Sequence, residues 1–187
     1  MSKTTPGWCF SIDVGGTFTD CVARTPAGEL RTLKVLSSAA LKGNVDAAEG
    51  RGIRDPGLRR ARDDIFRGFQ LRLLDADGVE RERAEVAGSL GADGSISTAE
   101  ELRGLAAART WELVSPEEAP LLCMRLLMEL RLDEKIGEAA LRLGTTRGTN
   151  ALLERSGART AILTTPGFAD LLLIGNQDRP RIFDLEI

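Results

Sequence analysis

A chain of 187 residues, 42% hydrophobic and 28% charged, has the material for one cored domain, or for one domain carrying a small insertion. Its net charge of −3, from 25 basic and 28 acidic residues, supplies no basic field for nucleic acid, and the absence of histidine excludes Ser-His-Asp and Cys-His catalysis and every histidine-ligated metal site. The three cysteines, Cys9, Cys21 and Cys123, form no CxxC, so buried thiols in a reducing compartment are expected.

Residues 1–7 read as a loose terminus. The apolar run that follows predicts a strand over Trp8–Asp13, then Gly15-Gly16-Thr17, then a second strand over Thr19–Arg24. Pro26-Ala27-Gly28 turns the chain into a third strand, Glu29–Leu36, completing an antiparallel meander. Two adjacent glycines let backbone N–H groups converge on an anion, phosphate above all. Asp13, at the strand end, stands where a phosphate-bound metal or an attacking water needs a carboxylate. The same residues also suit an ordinary hairpin turn capped by an aspartate. The turn is neither a GxxxxGKS/T loop nor a GxGxxG opening a helix. Lys34, on the third strand, is placed either to reach a ligand at the turn or to be solvated.

From Ser37 to Ser115 glycines punctuate short segments, and a small β-rich insertion is expected over about 40–115. Phe69–Leu74 reads as a strand, Asp75-Ala76-Asp77-Gly78 as a turn and Val79–Ala87 as the returning strand. Thr98–Arg109 reads as helical and Thr110–Val114 as a short strand. The Arg51–Arg67 stretch mixes in Asp55, Asp63 and Asp64, as a solvated face does.

Pro116–Leu132 has helical period: Leu122, Leu126 and Leu130 form a stripe beside Cys123 and Leu127, with Glu118, Arg125 and Glu129 on the other face. Ala140–Leu143 then predicts a strand that ends in Gly144-Thr145-Thr146-Arg147-Gly148-Thr149-Asn150, and Ala151–Ser156 a helix stopped by Gly157. Strand, hydroxyl-rich turn and helix N-terminus present free N–H groups and a positive dipole end. One of those hydroxyls is enough for helix capping alone. Thr160–Thr164 reads as a buried strand, and Thr165-Pro166-Gly167 as a turn into a helix with Phe168, Leu171 and Leu172 on one face. The strand-like Ile182–Ile187 at the end suggests a chain that continues in a larger protein. The order implies an α/β fold with a mixed sheet and flanking helices. No leader peptide or membrane-spanning run is evident, and the cytoplasm is the expected location.

Three blocks carry a resemblance. Asp13-Val-Gly-Gly-Thr-Phe-Thr-Asp20 is the first and Gly144-Thr-Thr…Thr149-Asn-Ala-Leu-Leu-Glu-Arg…Gly157-Ala the second. The third is Gly167-Phe-Ala-Asp-Leu-Leu…Ile174-Gly-Asn-Gln…Arg179-Pro…Phe183-Asp-Leu. Together, in this order, they resemble the N-terminal region of the hydantoinase A/5-oxoprolinase family. The resemblance implies the first half of an actin-like (ribonuclease H-like) ATPase fold, in a protein that uses ATP and Mg²⁺ to open 5-oxoproline or a hydantoin ring. It implies that Asp13 holds the metal, that Gly15, Gly16 and Thr17 cradle phosphates with Thr19 and Lys34 nearby, and that Thr145, Thr146 and Asn150 line the same cleft or the substrate side as catalytic residues. The remaining domains or a B-type subunit are the implied partners, in an oligomer, and the chain alone is expected to turn over weakly or not at all.

Leu143 stands where relatives often carry histidine, Arg147-Gly148 where Val-Ala is common, and Pro166 where arginine is common. Val14 follows the hydantoinase form, whereas the closing block leans toward 5-oxoprolinase, so the substrate stays open. Two other readings compete: a sugar- or acetate-kinase-type phosphotransferase, and a non-catalytic module that binds nucleotide or a partner chain.

Overall fold

The computed structural model describes residues 7–59 and 61–175. The chain opens with strands β1 (Trp8–Val14), β2 (Phe18–Arg24) and β3 (Leu30–Leu36), which pair antiparallel as the sequence predicts. Strict alternation decides which way they face: Phe10, Ile12 and Val14 of β1 and Thr19, Cys21 and Ala23 of β2 are buried, while Ser11, Asp13, Asp20 and Val22 point out.

Seven short strands follow: β4 (Ala40–Asn44), β5 (Ala47–Glu49), β6 (Gly52–Arg54), β7 (Gln70–Leu74), β8 (Glu80–Leu90), β9 (Ser95–Thr98) and β10 (Thr110–Val114). They form a second, wholly antiparallel sheet in the order β4-β10-β7-β8-β9-β6-β5. Its inner residues, among them Leu71, Leu73, Val86, Ile96 and Leu113, join the buried face of the first sheet in one continuous core.

The helix read over Thr98–Arg109 is absent; Thr98 ends β9, and bends and turns follow it. Tertiary acceptors take the N–H groups that a helix would use: Leu102 N–H donates to the Gly50 carbonyl, and Arg103 and Gly104 N–H donate to the Glu82 carboxylate. Helical period was present, but these partners are competing acceptors outside the segment.

Helix α1 (Ala119–Met128) lies on the first sheet, burying Leu122, Cys123, Met124 and Leu127. Arg125 corrects its polar-face assignment. It is 8% exposed, forms two bonds to Glu117 (2.6 and 2.8 Å), and donates to the carbonyls of Arg131 (2.6 Å) and Glu134 (2.7 Å). The guanidinium thus pins the chain after the helix onto the helix itself. Cys21 and Cys123 meet across this interface; contact and burial hold the Cys123 thiol well above its ordinary value, while Cys123 lowers that of Cys21.

Strand β11 (Ala139–Thr145) then pairs parallel with β1, giving the mixed sheet β11-β1-β2-β3. Helix α2 (Arg147–Glu154) begins four residues before the predicted Ala151 and ends with Arg155, not Gly157, in the left-handed conformation at φ 53°. Thr160–Thr164 corrects a third expectation. It forms no strand, and Ile162 and Leu163 are exposed, because the local pattern supplies β propensity but no neighbour among the described residues pairs with it. Of the helix read after Gly167, one turn forms, α3 (Leu171–Ile174), and its side chains are exposed. The closing block from Asn176 to Ile187, including the strand-like Ile182–Ile187, lies outside the described residues. Among the described residues no helix is long and apolar enough to cross a membrane.

Candidate functional site

Parallel strands β1 and β11 end side by side, and ligands of α/β sheets gather at such carboxyl ends. Asp13 occupies the last outward-facing position of β1. Its direct neighbours across the sheet are Gly144 on β11 and Asp20 on β2, and Asp20 in turn faces Lys34 on β3. Gly144, Asp13, Asp20 and Lys34 therefore make one row on the open face.

The charges in this row are unevenly matched. Lys34 Nζ lies 2.8 and 2.9 Å from the two Asp20 oxygens and 5.0 Å from the centroid of the Phe18 ring. Asp13, one strand over, makes no hydrogen bond or ion pair with the described residues. The Lys34–Asp20 pair is exposed and satisfied within itself, so the lysine answers Asp20 and leaves the Asp13 carboxylate free for a cation.

The turn after β1 is held from behind. Gly15 N–H donates to the Phe18 carbonyl at 3.0 Å, closing the hairpin. Ser37 then ties both outer carbonyls: its N–H donates to Thr17 at 2.9 Å and its hydroxyl to Gly15 at 2.8 Å. Because that hydroxyl has spent its single hydrogen, the 3.0 Å contact with Thr19 has the Thr19 hydroxyl as donor. With the carbonyls fixed to the rear, the N–H groups of Gly16 and Thr17 are left with no acceptor among the described residues. This is the arrangement of an anion nest. A Cβ on Gly15 would lie 2.9 Å from the Phe18 carbonyl oxygen, so the turn requires glycine there.

The second wall comes from α2. Thr146 N–H donates to the Val14 carbonyl at 3.2 Å, locking the helix start to the end of β1. Thr146 is the N-cap residue, yet its side chain makes no capping bond, so capping does not occupy that hydroxyl. Asn150, one turn in, brings its side-chain amide nitrogen to 3.2 Å from where a Cβ on Gly16 would stand. The open N–H groups of the first helical turn face the same region as the glycine turn.

Of the residues singled out from sequence, the structure gathers Asp13, Gly15, Gly16, Thr17, Thr145, Thr146 and Asn150 at one end of the sheet. Three fall elsewhere in role: Gly15 spends its N–H on the Phe18 carbonyl, so it shapes the turn and donates to no phosphate. Thr19 is 0% exposed and its hydroxyl is committed to Ser37, so it supports the turn from the core and cannot touch a cofactor. Lys34 is on the correct face but engaged by Asp20. Ser37 was missed. In sequence it is the first of two serines after an apolar strand, which signals a turn and nothing more. Among the described residues no three carboxylates or thiols converge, so a cation at Asp13 would take its remaining ligands from phosphate oxygens and water, as Mg²⁺ commonly does.

The family described as "Hydantoinase/oxoprolinase N-terminal region" matches over residues 9–87 and 98–187. A 5-oxoprolinase of Dictyostelium discoideum is 60% identical over 48 residues, 26% of this chain and 4% of its own length. The 5-oxoprolinase 1 of Arabidopsis thaliana is 45% identical over 80 residues, 38% of this chain and 6% of its own. The Saccharomyces cerevisiae 5-oxoprolinase is 46% identical over 79 residues, 37% of this chain and 6% of its own. The matched stretch is thus a small part of each relative. No solved structure matches.

Proposed function

Since the chain belongs to the hydantoinase/oxoprolinase N-terminal region family, we propose that it is the phosphate-binding part of an ATP-dependent hydrolase that opens a cyclic amide, 5-oxoproline or a hydantoin. The observation that carries this reading is the unpaired Asp13 carboxylate beside the free N–H groups of Gly16 and Thr17. ATP with Mg²⁺, when bound, would supply a phosphoryl group to the amide oxygen: this opens the carbonyl carbon to water, the C–N bond breaks with the ring nitrogen leaving as the amine, and a second water releases phosphate to give the carboxylate. The chain's part in this is positioning and charge. Asp13 holds the metal, Gly16 and Thr17 donate to phosphate oxygens, and Thr146 and Asn150, with Thr145, border the cleft on the helix side. The half-fold of an actin-like ATPase fits the mixed sheet β11-β1-β2-β3 with this turn at its end.

The remaining domains or a partner subunit complete the substrate site. The apolar side chains exposed along β11, α2 and α3, such as Leu143, Leu152 and Leu172, are suited to meet them. Two of the three cysteines are buried as thiols, which fits a cytoplasmic setting. Calorimetric titration of Mg-ATP into the wild-type chain and Asp13→Asn tests the assignment. Binding to wild type that falls at least about tenfold in the variant, with unchanged melting temperature, is expected. Equal binding by both, or none by wild type, overturns it.

A further inference from the structure

Below the Asp13 row, the open face of the first sheet carries a small cavity of about 150 Å³ lined by Cys9, Ser11, Val22, Arg24, Leu30 and Arg142. Register explains the grouping. Arg142 is the direct neighbour of Ser11, Ser11 of Val22, and Cys9 of Arg24, so Arg142 flanks the Ser11 position directly from β11 and Arg24 lies diagonally across from it on β2. Neither Arg24 nor Arg142 forms an ion pair or hydrogen bond with the described residues, and no acidic side chain lines the cavity. Three larger depressions of the second sheet differ in this respect: their linings include Glu49, Glu85 with Asp133, and Glu112 respectively. Two guanidinium groups at one cavity without a counter-charge repel each other, and a bound anion turns that repulsion into attraction.

The volume admits only a small molecule. Val22 and Leu30, 45% and 68% exposed, give it an apolar wall suited to a hydrocarbon ring edge. Asp13 lies two residues beyond Ser11 on the same face, about 7 Å along the strand. In 5-oxoproline the carboxylate and the amide carbonyl flank the ring nitrogen on opposite sides. A carboxylate held at the arginines leaves the amide carbonyl on the far side of the ring, within reach of the Asp13 end when the ring lies along the strand, where the phosphoryl group is proposed to arrive. We propose that Arg24 and Arg142, with the Ser11 hydroxyl, bind the carboxylate of the cyclic amide. This rests on the cyclic-amide reading above and narrows it to carboxylate-bearing rings, favouring 5-oxoproline over unsubstituted hydantoin.

The test is residue-resolved NMR titration of the 187-residue chain with three probes: 5-oxoproline, 2-pyrrolidinone (the same ring without carboxylate) and acetate. The expected result is that 5-oxoproline shifts the Ser11 amide and the Arg24 and Arg142 Nε–H signals, whereas 2-pyrrolidinone leaves them in place. Arg24→Gln with Arg142→Gln should weaken the apparent affinity for 5-oxoproline by about tenfold or more, with dispersed spectra showing an intact fold. Equal shifts from 2-pyrrolidinone and 5-oxoproline, or no shift at these three residues, overturn the carboxylate site. Acetate binding as tightly as 5-oxoproline keeps the carboxylate site and overturns its assignment to a cyclic amide. A parallel Mg-ATP titration, read at Gly16 and Thr17, judges the phosphate site separately, so either site can fail without the other.

Discussion

Ser37 joins three groups that the sequence does not connect, and a double-mutant cycle can isolate that role. In Ser37→Ala the Gly15 carbonyl loses its donor and the Thr19 hydroxyl loses its acceptor, in a position that is 0% exposed. A polar group left unsatisfied away from water costs about 1–3 kcal/mol. The Gly15 carbonyl is closer to solvent and can recruit water, so the Thr19 hydroxyl sets the value, near 2 kcal/mol. For a domain of this size that lowers Tm by about 4–8 °C. Thr19→Val keeps the shape, leaves Ser37 bonded to Gly15, and removes one hydrogen bond, so it should cost about 1 kcal/mol or less. With both replaced, no buried hydroxyl is left unpaired, and the double variant should be no less stable than Ser37→Ala alone. Urea denaturation of the four proteins reads the cycle directly. Additivity of the two single effects within about 0.5 kcal/mol would refute the hydrogen-bond chain.

Other outcomes follow from the same geometry. Arg125→Met should destabilise by about 3–5 kcal/mol, because Glu117 and two carbonyls lose their partner, and Arg125→Lys should recover only part of it, since an ammonium cannot reproduce the fork; urea midpoints check both. Gly15→Ala should destabilise by about 1–3 kcal/mol by forcing a Cβ against the Phe18 carbonyl, whereas Gly16→Ala meets only the movable Asn150 amide and should spare Tm. Its effect should appear in Mg-ATP affinity. Arg83 first, then Arg72, hydrogen-bond Glu80 and hold its carboxyl down at about 2. Its folded value lies below its unfolded one, so its contribution is present above about pH 4.3 and disappears as pH falls toward 2. Melting curves of wild type and Glu80→Gln should therefore differ at pH 6 and converge near pH 2.

Much of the site was legible because its parts are local. Asp13, the glycine pair and the two flanking strands lie within one hairpin, and alternation places the carboxylate on the open face without knowledge of the rest. The second sheet's Thr110–Val114 was readable for the same reason, as a β-branched and aromatic run between turns. What escaped depended on distant partners. Arg125 has the period of a solvated helix position, and only the returning chain at Arg131 and Glu134 makes it a buried anchor. Residues 98–109 have helical spacing, but Gly50 and Glu82 intercept their N–H groups. Thr19 carries a ligand-type hydroxyl, and register alone turns it into the core.

The pairing of β1 with β11 joins Trp8 to Ala139, and the whole antiparallel sheet between them must be spanned before the two walls of the cleft meet. The hairpin can close within microseconds of its synthesis, but the helix-side wall waits for a contact of very long sequence separation. On the ribosome, a chain emerging at about 5–20 residues per second presents a bare glycine turn for several seconds. During that interval Asp13 and the N–H groups of Gly16 and Thr17 have no α2 beside them. A nascent chain at this stage has the hairpin without its helix-side wall, and the cleft is completed only once β11 and α2 have emerged.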